Sequence, residues 1–465
     1  MNLAFWQPAT GLIAPLVLGL ALLRAFGLRF SSDRIAYPGW VWLTGSLATA
    51  ALEFLWLLSG LGTESALGRE LVVVLVAGAL LWAAREREPV PGEAPRGARA
   101  ERGVFLVLLA LALALVTNKV LLGTLEPVYL DDEAHFWAAR AKLLFAARGF
   151  GPEYQAGLRT LAHGDYPLLD PLLQVWMFVH AGAVTHVVNR LPMQLSVLAV
   201  VFVLAGAARR HLRPAAAGLL VCAFIGSHLV LSAVLRAHAD ILVGLGVLVV
   251  LDAWLRWRDE PRDAWIALAA LGAAFLGWAK NEGLLVLAAL ACVALVVRLR
   301  GKRRFELRLA HVLWLLPLAL VASTWLHNHL FEIKSDLLQE TGTRQTLFAR
   351  VLAQWSANTG EVLAFFGEVL RDGEQFQLLP VALAVLVLAS PASARRLGPA
   401  LAVLALVAAG YLVVLIGTPS SIDWQLRTAG KRLVLQLYPS IALLVAVLMG
   451  RWLPPRATNV LTSRS

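Results

Sequence analysis

The sequence predicts an all-α polytopic membrane protein with about 13 transmembrane helices and interfacial helices in the first external loop. Of 465 residues, 59% are hydrophobic and 15% charged, and mean hydropathy is +0.71, a composition suited to lipid rather than water as solvent. Apolar runs of roughly 17 to 25 residues, each able to cross a hydrocarbon core of about 30 Å as a helix, recur along the whole length, which excludes a single anchor on a soluble domain. Runs such as LVVVLVAGALLWAA do not alternate in polarity, which excludes a barrel strand.

Taken in order, spans are expected near residues 9–28, 38–60 and 70–84, then 103–123, 192–209, 214–234, 239–256, 263–278, 283–299, 309–328, 377–394, 397–416 and 432–452. The first run has no Lys or Arg before Arg24, so it lacks the charged start of a cleaved secretory signal and is expected to be retained. The Arg-, Glu-, Pro- and Gly-rich stretch 85–102 reads as a flexible cytoplasmic linker. It divides N-terminal transmembrane helices (1–84) from a core (103–328) that includes an external loop at 124–191. A second external loop follows at 329–376, then C-terminal transmembrane helices and a cytoplasmic tail at 377–465.

The net charge of +11 does not point to nucleic acid, because the basic residues cluster in alternate short connections beside apolar spans. The clusters Arg24/Arg29/Arg34, Arg85 through Arg102, Arg209/Arg210/Arg213, Arg256/Arg258/Arg262, Arg298 through Arg308 and Arg395/Arg396 mark the cytoplasmic side. Residues 167–187 are apolar enough to suggest another span. They also carry Asp170, His180 and His186 and begin near two prolines, so they read as a helix lying at the interface. Cys222 and Cys292 fall inside apolar runs and form neither a disulfide framework nor a zinc spacing.

With that topology, polar residues gather on the external face. LEPVYLDDEAHFW places Asp131, Asp132 and Glu133 just after a span. Such acids suit a helix N-terminus, a general base or a divalent-cation site, and nothing else in the sequence asks for a cofactor. LAHGDYPLLDPLL presents His163, Asp165 and Tyr166, which suit a sugar hydroxyl as well as ordinary helix capping. Two short turns interrupt apolar sequence: LRAHADILVGL with Arg236, His238 and Asp240, and GWAKNEGLLVL with Lys280, Asn281 and Glu282. The connection SSIDWQLRTAGKR holds Asp423, Trp424, Arg427, Lys431 and Arg432 against the positive-inside trend, which favours an anionic partner. Arg236, Lys280 and Arg432 are candidates to hold a phosphate; the bland alternative pairs them with Asp240, Glu282 and Asp423 in structural ion pairs.

Asp132-Glu133, DYPLLDPLL, AHADILVG, AKNEGLLVL and WQLRTAGKRLVLQLYP, in this order over about residues 100–452, resemble the polytopic C-type glycosyltransferase superfamily. That group includes bacterial relatives of protein O-mannosyltransferases and aminoarabinose transferases. The resemblance implies a membrane enzyme of the cell envelope, in a bacterial plasma or inner membrane, with its site facing the periplasm or exterior. Its donor would be a polyprenyl-phosphate-linked sugar and its acceptor a hydroxyl on a glycan, lipid or protein, with membrane lipids as further partners. The loop acid role falls on Asp132. The sequence departs from the pattern in reading DDE rather than a lone DE pair, which brings in Asp131, and in placing Gln425 where relatives often have His. The three N-terminal helices lie outside the expected core.

The reaction so implied is a single displacement at the anomeric carbon with inversion. The two rival classes are an O-antigen ligase or polymerase, which would rely mainly on a late Arg/His loop, and a secondary transporter, which would place its charges near the bilayer midplane rather than at helix ends.

Overall fold

The structure, a computed structural model, describes residues 7–91, 98–125, 133–161, 163–236, 238–300, 309–333 and 347–453. All regular secondary structure among them is helical. The chain opens with α1 (Ile13–Ala25), α2 (Tyr37–Leu58) and α3 (Ala66–Ala83). Helices α1 and α2 touch backbone to backbone. A Cβ on Gly45 would lie 1.6 Å from the Pro15 carbonyl oxygen, so only glycine permits the crossing. Ser65 caps α3 by accepting from the Gly68 amide at 3.0 Å.

After α4 (Arg99–Leu125), the first long connection holds a π-helical turn (Glu133–Trp137), α5 (Ala138–Ala146), α6 (Pro152–Leu158) and α7 (Leu169–Ala181). Then come α8 (Leu191–His211), α9 (Pro214–Ile225), α10 (His228–Arg236), α11 (Asp240–Asp259), α12 (Asp263–Ala279), α13 (Asn281–Arg300) and α14 (Leu315–Leu330). The last part comprises α15 (Leu347–Arg371), α16 (Leu379–Ala389), α17 (Gly398–Ile416), a second π-helical turn (Leu426–Gly430) and α18 (Lys431–Met449). At the centre α11 packs on α8, α12 and α18.

Each expected apolar segment holds a helix, and fewer than the expected 13 meet the length and apolarity of a membrane span on their own. Among the described residues eight helices are long and apolar enough to cross a membrane, nine if α9 and α10, bent by 61° at their break, count as one span. At 1.5 Å per residue, α1 (13 residues) and α16 (11 residues) fall short of a hydrocarbon core. Helix α11 is long enough, yet carries Asp240, Asp252, Arg256, Arg258 and Asp259.

The segment expected to lie at the interface forms α7, a helix packed inside the protein. Residues Leu169–His180 of α7 are all buried, and the helix packs against α2, α5 and α8 rather than lying on a surface. Its apolarity serves protein contacts. The N-terminal helices are likewise built into the core: α2 packs against α7, α8 and α12, and Trp42 donates to Ser196 at 2.9 Å. Arg256 lies between the rings of Trp40 and Trp265 and bridges Asp33 at 2.6 Å and Asp252 at 2.9 Å. Of the two cysteines, Cys222 is half-buried and Cys292 exposed.

Candidate functional site

The site is assembled from helix ends. Asp240 is the first residue of α11 and is fully buried. Its carboxylate accepts from Lys280 Nζ at 2.9 Å, from Arg432 Nε at 2.8 Å and from Gln436 Nε2 at 2.5 Å. Lys280 also meets Glu282 at 2.8 Å, and the Gln436 side-chain oxygen Oε1 accepts from the Tyr411 hydroxyl at 2.5 Å. Residues from α11, the α12–α13 turn, α17 and α18, separated by up to 196 positions, therefore form one polar network. Its two carboxylates and two cations balance in charge, without which burial would cost several kcal/mol per ion.

Backbone geometry places Lys280. It is a single extended residue (φ −161°, ψ 157°) between α12 and α13, so both helices stop there and the ammonium turns inward. Gly283 makes the turn feasible, because a Cβ there would lie 2.0 Å from the Leu276 carbonyl oxygen. Burial alone would push the Lys280 ammonium down, but the Asp240 and Glu282 carboxylates outweigh it and hold the group above the ordinary lysine range.

The first long connection supplies an aromatic wall. The Tyr166 ring stacks on Trp137 at 5.4 Å and on His163 at 5.2 Å, and Lys280 Nζ lies 5.8 Å from the Tyr166 ring centre. His163 sits in the left-handed region (φ 53°), uncommon for a non-glycine residue and held here by its ring contacts with Phe136 and Tyr166. Asp165 accepts from Asn281 at 3.1 Å through its carboxylate and from Asn328 at 2.9 Å through its carbonyl. Arg140 donates to the Tyr166 carbonyl and, at 3.1 Å, to the Tyr154 hydroxyl, which pairs with His327 at 3.1 Å. The two networks meet at the Lys280–Asn281 turn.

Glu133 is buried in a two-point pair with Arg190, at 2.5 and 2.9 Å, and Arg190 also donates to the Gly123 carbonyl at 2.6 Å. That pair ties the π-helical turn to the ends of α4 and α8. It assigns Glu133 a positioning contact rather than a free carboxylate. Asp131 and Asp132 lie outside the described residues. His238 is buried two residues before Asp240, and Arg236 lies at the exposed end of α10. Trp424 and Arg427 are both exposed, and Arg427 pairs with Asp423 one turn away rather than with the Asp240 network.

Sequence reading named Asp240, Lys280, Asn281, Glu282, Asp165, Tyr166, His163 and Arg432, and the structure brings these together. It missed Arg190, Arg140, Gln436, Tyr411 and Asn328. A polar side chain inside an otherwise apolar helix, as in LVLQLYPS or VVNRLPM, was the available signal. Among the described residues no group of three or more His, Cys, Asp or Glu is placed to hold a metal. The cation site considered on the DDE acids falls mostly outside those residues, and Glu133 is engaged by Arg190. In comparisons with known proteins, no family model, curated protein or solved structure gives a significant match.

Proposed function

We propose that the chain is a membrane glycosyltransferase of the polytopic C-type superfamily, moving a sugar from a polyprenyl-phosphate donor to an acceptor hydroxyl at the external membrane face with inversion. The observation that carries the reading is the Asp240–Lys280–Arg432 network beside the Tyr166 wall at one end of a bundle of apolar helices. Charged groups held there are costly unless they serve a ligand or pair with one another. The network retains an accessible edge, with the Arg432 side chain 15% and that of Glu282 21% exposed.

On this reading the acceptor oxygen attacks the anomeric carbon and loses its proton to the Asp132 carboxylate. The bond from that carbon to the phosphate oxygen breaks, and its electron pair leaves with the lipid phosphate, whose charge Arg432 and Lys280 offset. Asp240 is then a positioning residue that aims both cations. The topology that belongs to this reading has thirteen crossings in a bacterial inner membrane, with the bilayer locally thinned around the shorter helices.

The test is a transfer assay on purified full-length variants with donor binding measured in parallel. General-base catalysis contributes about 10²- to 10⁴-fold, so Asp132→Asn should lower transfer by at least about 100-fold while donor binding persists. Near-normal transfer would remove Asp132 as the base, and a collapse confined to Asp131→Asn would move the role one residue upstream. Unchanged lipid-linked sugars and surface glycans in a deletion strain, read by mass spectrometry, would overturn the function itself.

A further inference from the structure

At the end of the bundle opposite the Asp240 network, a cavity of about 300 Å³ is lined by Arg24, Arg29 and Arg85 together with Leu81 and Ala84. The arginines come from three places: the last turn of α1, the turn after it, and the second residue beyond the end of α3. Hydrogen bonds hold those places together. Val90 N donates to the Gly27 carbonyl at 2.9 Å, Ser32 Oγ to the Val90 carbonyl at 3.1 Å, and Arg29 to the Arg87 carbonyl at 3.5 Å. The Arg85 guanidinium lies over the Trp82 ring at 4.3 Å. Among the described residues no carboxylate lines the cavity. Glu86 approaches Arg85 only at 3.6 Å, in a pair more than half exposed on both sides that contributes little.

Three like charges around one cavity repel, and the backbone contacts above hold them there, with the exposed Glu86 beside Arg85 as the counter-charge met among the described residues. We infer that this cavity binds the phosphate headgroup of an anionic phospholipid of the inner leaflet. Arginine suits phosphate through its paired donors, and basic pockets between helices on the cytoplasmic side bind anionic headgroups. A lipid rather than a soluble phosphate fits because the cavity opens beside an apolar track. Leu71, Val74, Leu75 and Leu81 are all exposed along α3 above it, giving an acyl chain a surface to follow. The positive-inside rule alone needs basic residues only on the correct side, not converging on one cavity.

The experiment is native mass spectrometry of the full chain released from nanodiscs of mixed phosphatidylglycerol and phosphatidylcholine. Wild type should retain phosphatidylglycerol selectively. Arg24→Gln, Arg29→Gln and Arg85→Gln should each reduce that retention about fivefold, the loss expected for one basic side chain at a membrane surface. Arg24→Lys should keep most of it, and Arg395→Gln with Arg396→Gln, in a different basic cluster, should change nothing. Thermal midpoints separate lost binding from lost folding. Unchanged retention in the three Gln variants overturns the inference. So does an equal loss in the Arg395/Arg396 control, which would make the preference one of diffuse charge. Complete displacement by inorganic phosphate in tenfold excess reassigns the cavity to a soluble ligand and overturns the lipid.

Discussion

Asp240 illustrates what one buried side chain does at the residue scale. It faces Lys280, Arg432 and Gln436 at once, so removing its charge leaves two cations in a low-dielectric setting with Glu282 as their remaining counter-charge. Breaking one partner of a buried pair typically costs about 3–5 kcal/mol. Asp240→Asn should therefore destabilise the protein by about that amount, and Glu282→Gln, whose side chain is 21% exposed, by clearly less. Thermal unfolding in detergent checks the order, and equal losses would contradict it. Asp170 gives a pH signature. Burial pushes its carboxyl up to about 8, the hydrogen bond from Gln174 at 2.6 Å opposes that, and nearby Glu133 adds to it. Because the folded value lies above the unfolded value of about 4, the folded state holds a proton that the unfolded chain has released. Stability from this group is complete below about pH 4 and is lost as pH rises to about 8. The Asp170→Asn variant should gain on wild type across that window, and parallel curves would refute the assignment.

At the scale of elements, the α12–α13 turn shows how close approach builds a site. The 2.0 Å that a Cβ at position 283 would leave to the Leu276 carbonyl involves backbone on both sides, so no side-chain adjustment relieves it. Gly283→Ala should force the helices apart, cost at least about 1–3 kcal/mol and displace Lys280, lowering donor affinity more than Asn281→Ala does. Isothermal titration of both variants with a polyprenyl phosphate reads the difference. This turn was legible in the sequence because Lys280, Asn281 and Glu282 interrupt apolar runs on both sides. The positions of the helices were legible for the complementary reason, since long apolar runs mark helices even where they do not decide which of them cross. The burial of α7 was not, because an apolar residue facing protein looks the same as one facing lipid. Nor was the 61° break between α9 and α10, where Ser227 donates to the Gln375 carbonyl from a distant segment. The Glu133–Arg190 pair joins residues 57 apart, a separation at which local pattern carries no information.

Across the whole molecule, α11 carries a buried charge network at each end. Asp240 belongs to the proposed site, while Asp252 and Arg256 join Asp33 from the N-terminal helices. Asp240 and Arg256 are 16 residues apart, about 24 Å along a helix at 1.5 Å per residue, and the stretch between them is apolar apart from Asp252. Two such networks stand at the two ends of this apolar stretch and leave one question of orientation. The arginine clusters lie at the Arg256 end, so that end should be cytoplasmic and the Asp240 end should face the periplasm or exterior. In a background with Cys222 and Cys292 replaced, a membrane-impermeant thiol reagent applied to intact spheroplasts should label Gln155→Cys, on α6 of the first long connection. It should reach Arg395→Cys, between α16 and α17, only after permeabilisation. Labelling in the opposite order would invert the molecule and place the Asp240 network where a donor on the external leaflet could not reach it. Labelling of both positions from outside would show that the chain between them crosses the membrane an even number of times, against the odd number that the thirteen-crossing topology requires.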